Sequence, residues 1–232
     1  MTGVRDELDP ALRRLLTGQL TSTQLPSILD LGVLTDGLDD LCARSLGVSI
    51  GEHVEWGACI VMDAGGLSLV HHVAGSSDAV TALDAPEDHA AYVGFAHVHL
   101  PDLVDGKPYL GFSERDFRAT LADGDSLSLV CNGPDVFALV RTADCAQPRG
   151  VPGEEEFKGW EQLYDDAIRG ARREMALERA AHGTASDALN RALWQVNREL
   201  CRRLGLAFYR GQRGQPLTRT FRPTPYTRGA VR

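Results

Sequence analysis

Two histidines stand one residue apart in Ala96-His97-Val98-His99, and a serine and an aspartate stand three apart in Ser113-Glu114-Arg115-Asp116. Side chains of a β-strand alternate faces, so His97 and His99 point to the same side. Two imidazoles placed in this way on a rigid strand form half of a metal site. At the start of a helix, Ser113 and Asp116 share one face of the first turn. If that turn packs beside the end of the strand, Asp116 supplies a third ligand. Two histidines and one carboxylate, with a fourth position left to water, form the pattern of a catalytic rather than a structural zinc. Ser113-x-x-Asp116 also reads as a helix N-cap with an acid in its first turn, and capping is compatible with ligation. An acidic residue at the edge of an earlier apolar run precedes both pieces. It is Glu55, in Val54-Glu55-Trp56-Gly57-Ala58-Cys59-Ile60-Val61.

The surrounding sequence supplies elements that can position these groups. Short β-like runs fall at Gly57–Met62, Leu67–Val73, Tyr92–Val98, Leu127–Cys131 and Val136–Arg141. Ala64-Gly65-Gly66 and Asn132-Gly133-Pro134-Asp135 break them as hairpin loops. The spacing predicts a helix from Ser113 to about Leu121. Before these runs, Leu12, Leu15, Leu16 and Leu20 recur at helical spacing, as do Leu34, Leu38, Leu41 and Cys42. After them, Pro148 to Gly153 marks a boundary, and Glu154 to Leu204 reads as two helices broken near His182-Gly183-Thr184. The stripe Trp160, Leu163, Tyr164 and Ile168 reads as a packing face, docked on the central domain or on a partner. Residues Gly211–Arg232 hold five arginines, three prolines and no acid, a composition that reads as a disordered, docking tail. The expected organisation is therefore an N-terminal helical region (1–48), a central domain (49–147), a C-terminal helical extension (153–209) and an Arg-rich tail (210–232).

Composition narrows the classes of function. The chain has 232 residues, 43% of them hydrophobic and 24% charged, with a formal net charge of −8. That suits a globular protein and argues against a nucleic-acid binder, which would be basic. No apolar run reaches the roughly 18 residues of a membrane helix, and the start lacks a signal peptide's basic and apolar segments. The expected location is the cytosol. Five widely spaced cysteines form no C-x-x-C pair, which argues against a disulfide framework or a four-cysteine zinc site. Cys59 and Cys131 sit in apolar runs as small buried hydrophobes. His71 and His72 are adjacent on one strand and so cannot both join one site. Lys107 and Lys158 are the only lysines, and with abundant Ala, Gly and Asp this suggests a GC-rich, bacterial genome.

Taken in order, Glu55, His97-Val98-His99 and Ser113-Glu114-Arg115-Asp116 resemble the signature of the JAMM (JAB/MPN) zinc metallopeptidases, in a bacterial deubiquitinase-like form. The resemblance spans roughly residues 50–145. It implies an α+β fold, a mixed sheet core flanked by helices, with additional helices at both ends. It implies Zn2+ held by His97, His99 and Asp116, with Glu55 and Ser113 as catalytic residues. Zinc lowers the pKa of a bound water to about 7 and polarises the scissile carbonyl. Glu55 would take the water's proton and return it to the departing amine. Ser113 would donate to the developing oxyanion, a role worth about 10²–10³ in rate. The implied reaction is hydrolysis of the amide bond after the C-terminal tail of a ubiquitin-like protein, in deconjugation or precursor processing. The implied partners are that protein or its conjugates, with conjugation-pathway enzymes as further candidates; neither nucleic acid nor membrane is expected.

Two departures accompany the resemblance. The family's E-x-x-G is replaced by Glu55-Trp56-Gly57, so Glu52 stands as an alternative base. The spacer Leu100–Phe112 is longer than usual, and its extra length, around Asp102 to Lys107, reads as a flap over the cleft, with Leu103 and Val104 as contacts, or as a tolerated surface insertion. Two other functions use the same residues: a non-catalytic scaffold of this fold, and an iron(II) oxygenase with a two-histidine-one-carboxylate set.

Overall fold

The computed structural model describes residues 10–46, 53–63, 66–76, 80, 91–100, 111–145, 153–182 and 188–221. The chain is of mixed α and β class. In order it forms α1 (Pro10–Leu16), β1 (Ile28–Leu29), a 3-10 turn (Gly32–Leu34), α2 (Thr35–Leu46), β2 (Trp56–Asp63), β3 (Gly66–Ala74) and β4 (Tyr92–Val98). There follow α3 (Glu114–Ala122), β5 (Leu127–Asn132), β6 (Asp135–Arg141), α4 (Glu154–His182), α5 (Ala188–Leu204), β7 (Leu206–Gln212) and β8 (Leu217–Phe221). The strands make one sheet in the order β1-β8-β7-β6-β5-β4-β2-β3. Only β4 and β5 run parallel; every other pair is antiparallel. A parallel pair needs a crossover, and α3 lies on it.

Alternation along the strands builds two cores. Ala58 and Ile60 of β2, Ala96 and Val98 of β4, Leu129 and Cys131 of β5 and Ala138 of β6 pack with Leu15 and Leu16 of α1 and Leu38 and Leu41 of α2. Their strand neighbours Val130, Phe137, Leu139 and Phe208 face the other way, onto Phe117 of α3, Trp160 and Tyr164 of α4 and Leu193 and Leu200 of α5. Helices therefore cover both faces of the sheet. The α4 stripe expected to dock does so on this second face, with Leu163 and Ile168 packed against it. Gly133 takes φ +59° in the turn between β5 and β6, a conformation that favours glycine there. No helix among the described residues is long and apolar enough to cross a membrane.

The C-terminal segment departs from the expectation. The helical extension ends at Leu204, and residues 206–212 and 217–221, which include the first part of the tail expected to be disordered, are strands of the central sheet. Two of the five arginines that suggested a solvated tail, and Arg210 just before it, are tied down. Arg213 pairs with Asp39 at 3.0 Å, and Arg219 donates to the Leu25 carbonyl at 2.6 Å. Arg210 lies over the rings of Phe137 and Trp194. Composition registers the charge but not the aliphatic stems and donors through which arginine joins a folded surface. In β7, Leu206 and Phe208 alternate with Ala207 and Tyr209 between the two cores, a period-2 signal too short to stand out beside the charge. Residues 222–232 lie outside the described residues.

Candidate metal centre

On β4, Ala96 and Val98 enter the first core, so His97 projects from the opposite face, beside α3. His99 lies one residue beyond the strand, and its N–H still donates to the Cys131 carbonyl at 2.9 Å, which keeps the chain in line with β5. The two Nε2 atoms are 3.0 Å apart. Asp116 reaches them from the first turn of α3, with Oδ1 3.1 Å from His97 Nε2 and Oδ2 3.3 Å from His99 Nε2. Ligand atoms about 2.0–2.1 Å from a tetrahedral ion are about 3.3 Å from one another. The spacing of these three side chains therefore fits one small cation, and they form a potential metal-ligand group among the described residues.

The charges suit a cation as well. Burial disfavours a protonated His99, yet Asp116, then Glu55 and a hydrogen bond to the Gly111 carbonyl, outweigh it and raise its pKa. Burial alone would push the Asp116 carboxyl up, but His97 and His99 hold it well below the usual range. Positive charge is favoured at this point, carried by a proton or by a metal ion.

Glu55 immediately precedes β2 and is only 7% exposed. Its N–H donates to the Ser76 carbonyl at 2.7 Å, and its own carbonyl accepts from Gly75 at 2.7 Å. Because Gly57 pairs with His97 in antiparallel register, the same register places Glu55 opposite His99. Gly57 has no room for a side chain, since a Cβ would run into the Phe95 ring, which stacks on His97. Glu52 lies outside the described residues.

Ser113 is the N-cap of α3. Its backbone N–H donates to Asp116 Oδ2 at 2.6 Å and its hydroxyl donates to the same oxygen at 2.9 Å, while Asp116 N–H donates back to Ser113 Oγ at 3.3 Å. The capping box thus includes the candidate ligand Asp116. The single hydroxyl proton of Ser113 is committed to the carboxylate.

A clasp that the sequence reading did not identify holds this corner. Asn197 of α5 accepts from the Phe112 N–H at 2.8 Å through Oδ1 and donates to the Phe112 carbonyl at 2.9 Å through Nδ2. Tyr164 of α4 donates to the same carbonyl at 2.7 Å. Gly111, whose carbonyl receives the His99 ring, adopts φ +96°, and a Cβ there would be 2.5 Å from Asn197 Oδ1. The one available signal was an asparagine in the otherwise apolar stripe Leu193, Val196, Leu200, Cys201.

Other candidates stay away from the centre. His71 and His72 are exposed on β3, where His72 lies 3.8 Å from Asp40. Burial raises the Cys59 thiol, and hydrogen bonding with Cys42, then burial, raises Cys131, so neither is an activated nucleophile. All five cysteines are free thiols. His89 and the insertion from Asp102 to Lys107, with Leu103 and Val104, lie outside the described residues. No protein-family model, curated protein or solved structure matches the chain.

Proposed function

We propose that the chain is a zinc-dependent peptidase of the JAMM type, hydrolysing the amide bond that follows the C-terminal tail of a ubiquitin-like protein. The observation that carries this reading is the convergence of His97, His99 and Asp116, whose ligand atoms lie within 4.8 Å of one another, with the buried Glu55 in register beside His99. A zinc ion in that position supplies Lewis acidity and lowers the pKa of water to about 7. The chain's own groups provide the rest. Glu55 accepts a proton from the attacking water and delivers it to the departing amine nitrogen as the C–N bond breaks. The capping box fixes Asp116 through Ser113, and the Asn197 clasp fixes Gly111 behind His99. The substrate is a ubiquitin-like protein or its conjugates, and enzymes of the same conjugation pathway are the natural partners.

The test combines metal content with cleavage. The purified protein is expected to carry about one zinc per chain, a count set by the one three-ligand group found among the described residues. Zinc-loaded protein should release an amine fluorophore from the C-terminus of a ubiquitin-like protein, and chelation should stop it. A zinc-loaded protein that cleaves neither such a fusion nor an isopeptide-linked conjugate would overturn the reading and favour the scaffold.

A further inference from the structure

The sheet register places one more polar side chain beside the histidines. Along β5, Leu127, Leu129 and Cys131 enter the first core, while Ser128 and Val130 face α3. Asn132 continues that alternation onto the face that carries His97. His97 pairs with Val130 and Val98 with Cys131 in parallel register, so the next position sets Asn132 beside His99. Glu55 occupies the corresponding position on the other side of β4. Glu55, His99 and Asn132 thus form a row across three neighbouring strands, about 4.8 Å from one to the next.

Asn132 is 0% exposed, and neither its Nδ2 nor its Oδ1 has a hydrogen-bond partner among the described residues. Buried amides are almost always paired, because an unmade hydrogen bond costs more than a made one gains. Asn197 shows what such an amide can do in this protein: its two polar atoms take the backbone N–H and C=O of one residue, Phe112. Asn132 carries the same two atoms on the sheet face that carries His97. A developing oxyanion gains from more than one donor, and the Ser113 hydroxyl already donates to Asp116 Oδ2 at 2.9 Å.

We propose that Asn132 is a substrate-binding residue of this centre, its Nδ2 donating to the carbonyl oxygen of the acyl group and its Oδ1 accepting a peptide N–H. The ligand class is an extended peptide backbone, whose carbonyl would meet Asn132 on the His99 side of the three-residue group. The inference rests on the amide-hydrolase reading above.

The test uses the full chain loaded with Co2+ and titrated with acetohydroxamate, which offers a metal-binding carbonyl and an N–H; the visible spectrum of cobalt reports binding. Asn132→Ala and Asn132→Leu are expected to retain Co2+ as the parent does and to bind acetohydroxamate at least about tenfold more weakly, the loss of one good hydrogen bond. Without metal, Asn132→Leu should hold or raise the thermal midpoint, by about 2–4 °C per kcal/mol recovered from the unpartnered amide. A purely structural asparagine gives the reverse: a lower midpoint and an unchanged acetohydroxamate Kd. Unchanged Kd in both variants with cobalt retained overturns this proposal alone. Failure of the parent to retain Co2+ overturns the metal reading and this proposal together.

Discussion

At His97 and His99 a single substitution removes a ligand from a three-ligand set, and two protein ligands hold zinc far more weakly than three. Replacing either histidine by Ala should abolish zinc retention; stoichiometric zinc in the double variant would contradict the assignment. Glu55→Gln should leave zinc content and thermal midpoint unchanged and lower kcat by about 10²–10⁴, because an amide cannot accept the proton. Equal rates from Glu55→Gln, beside an inactive Glu52→Gln, would show that the base lies earlier in the chain. Asp125 carries the clearest pH signature. Burial pushes its carboxyl up to about 7, and Ser128 Oγ donates to it at 3.0 Å. The folded protein holds that proton where the unfolded chain has lost it, so stability falls as pH rises from about 4 to 7. Asp125→Asn should flatten this loss, as unfolding in urea at several pH values would show. The convergence of the three candidate ligands was legible in the sequence because a spacing of two on a strand and of three on a helix each fix a face. Asn132 and Asn197 were not, because a lone amide acquires meaning only from what the fold sets beside it.

The elements themselves were largely legible. β2 to β6 and α3 fall within a residue or so of the runs that alternation and turn chemistry mark out, because each has a core face and a clear break. The strands β7 and β8 were hidden by arginines whose partners lie in α2, in β6 and in the stretch before β1. At this scale the clasp is the feature to test. Asn197→Leu leaves the Phe112 N–H without its partner in a buried place, at about 1–3 kcal/mol, and the thermal midpoint should fall accordingly. It should also weaken zinc by about 10–100-fold, the usual effect of losing an outer partner of a metal ligand, measured by chelator competition. Tyr164→Phe removes one of two side-chain donors to the Phe112 carbonyl and should have the smaller effect on both readouts. Equal zinc affinity in Asn197→Leu and the parent would confine the clasp to packing.

For the molecule as a whole, the sheet joins segments that the sequence divides. β1 comes from the N-terminal helical region and pairs with β8, so that Ile28 meets Thr218. Ending the chain at residue 212 removes β8, the buried Leu217 and the anchors Arg213 and Arg219. The loss exceeds about 2 kcal/mol from the leucine alone, so the midpoint should fall by roughly 4–8 °C or more. An unchanged midpoint would restore the dispensable tail. The charge balance of residues 211–232 could not reveal this, since a strand's place in a sheet depends on partners almost two hundred residues away.

The clasp also has a consequence in time. Chains leave the ribosome from the N-terminus, so Glu55, both histidines and Asp116 emerge while Tyr164 and Asn197 are still unmade. A growing chain that stops short of α5 has every candidate ligand but lacks the Asn197 part of the clasp on Phe112. Tight metal capture therefore belongs to the finished polypeptide, and nascent chains arrested before residue 197 should exchange zinc rapidly while released chains hold it.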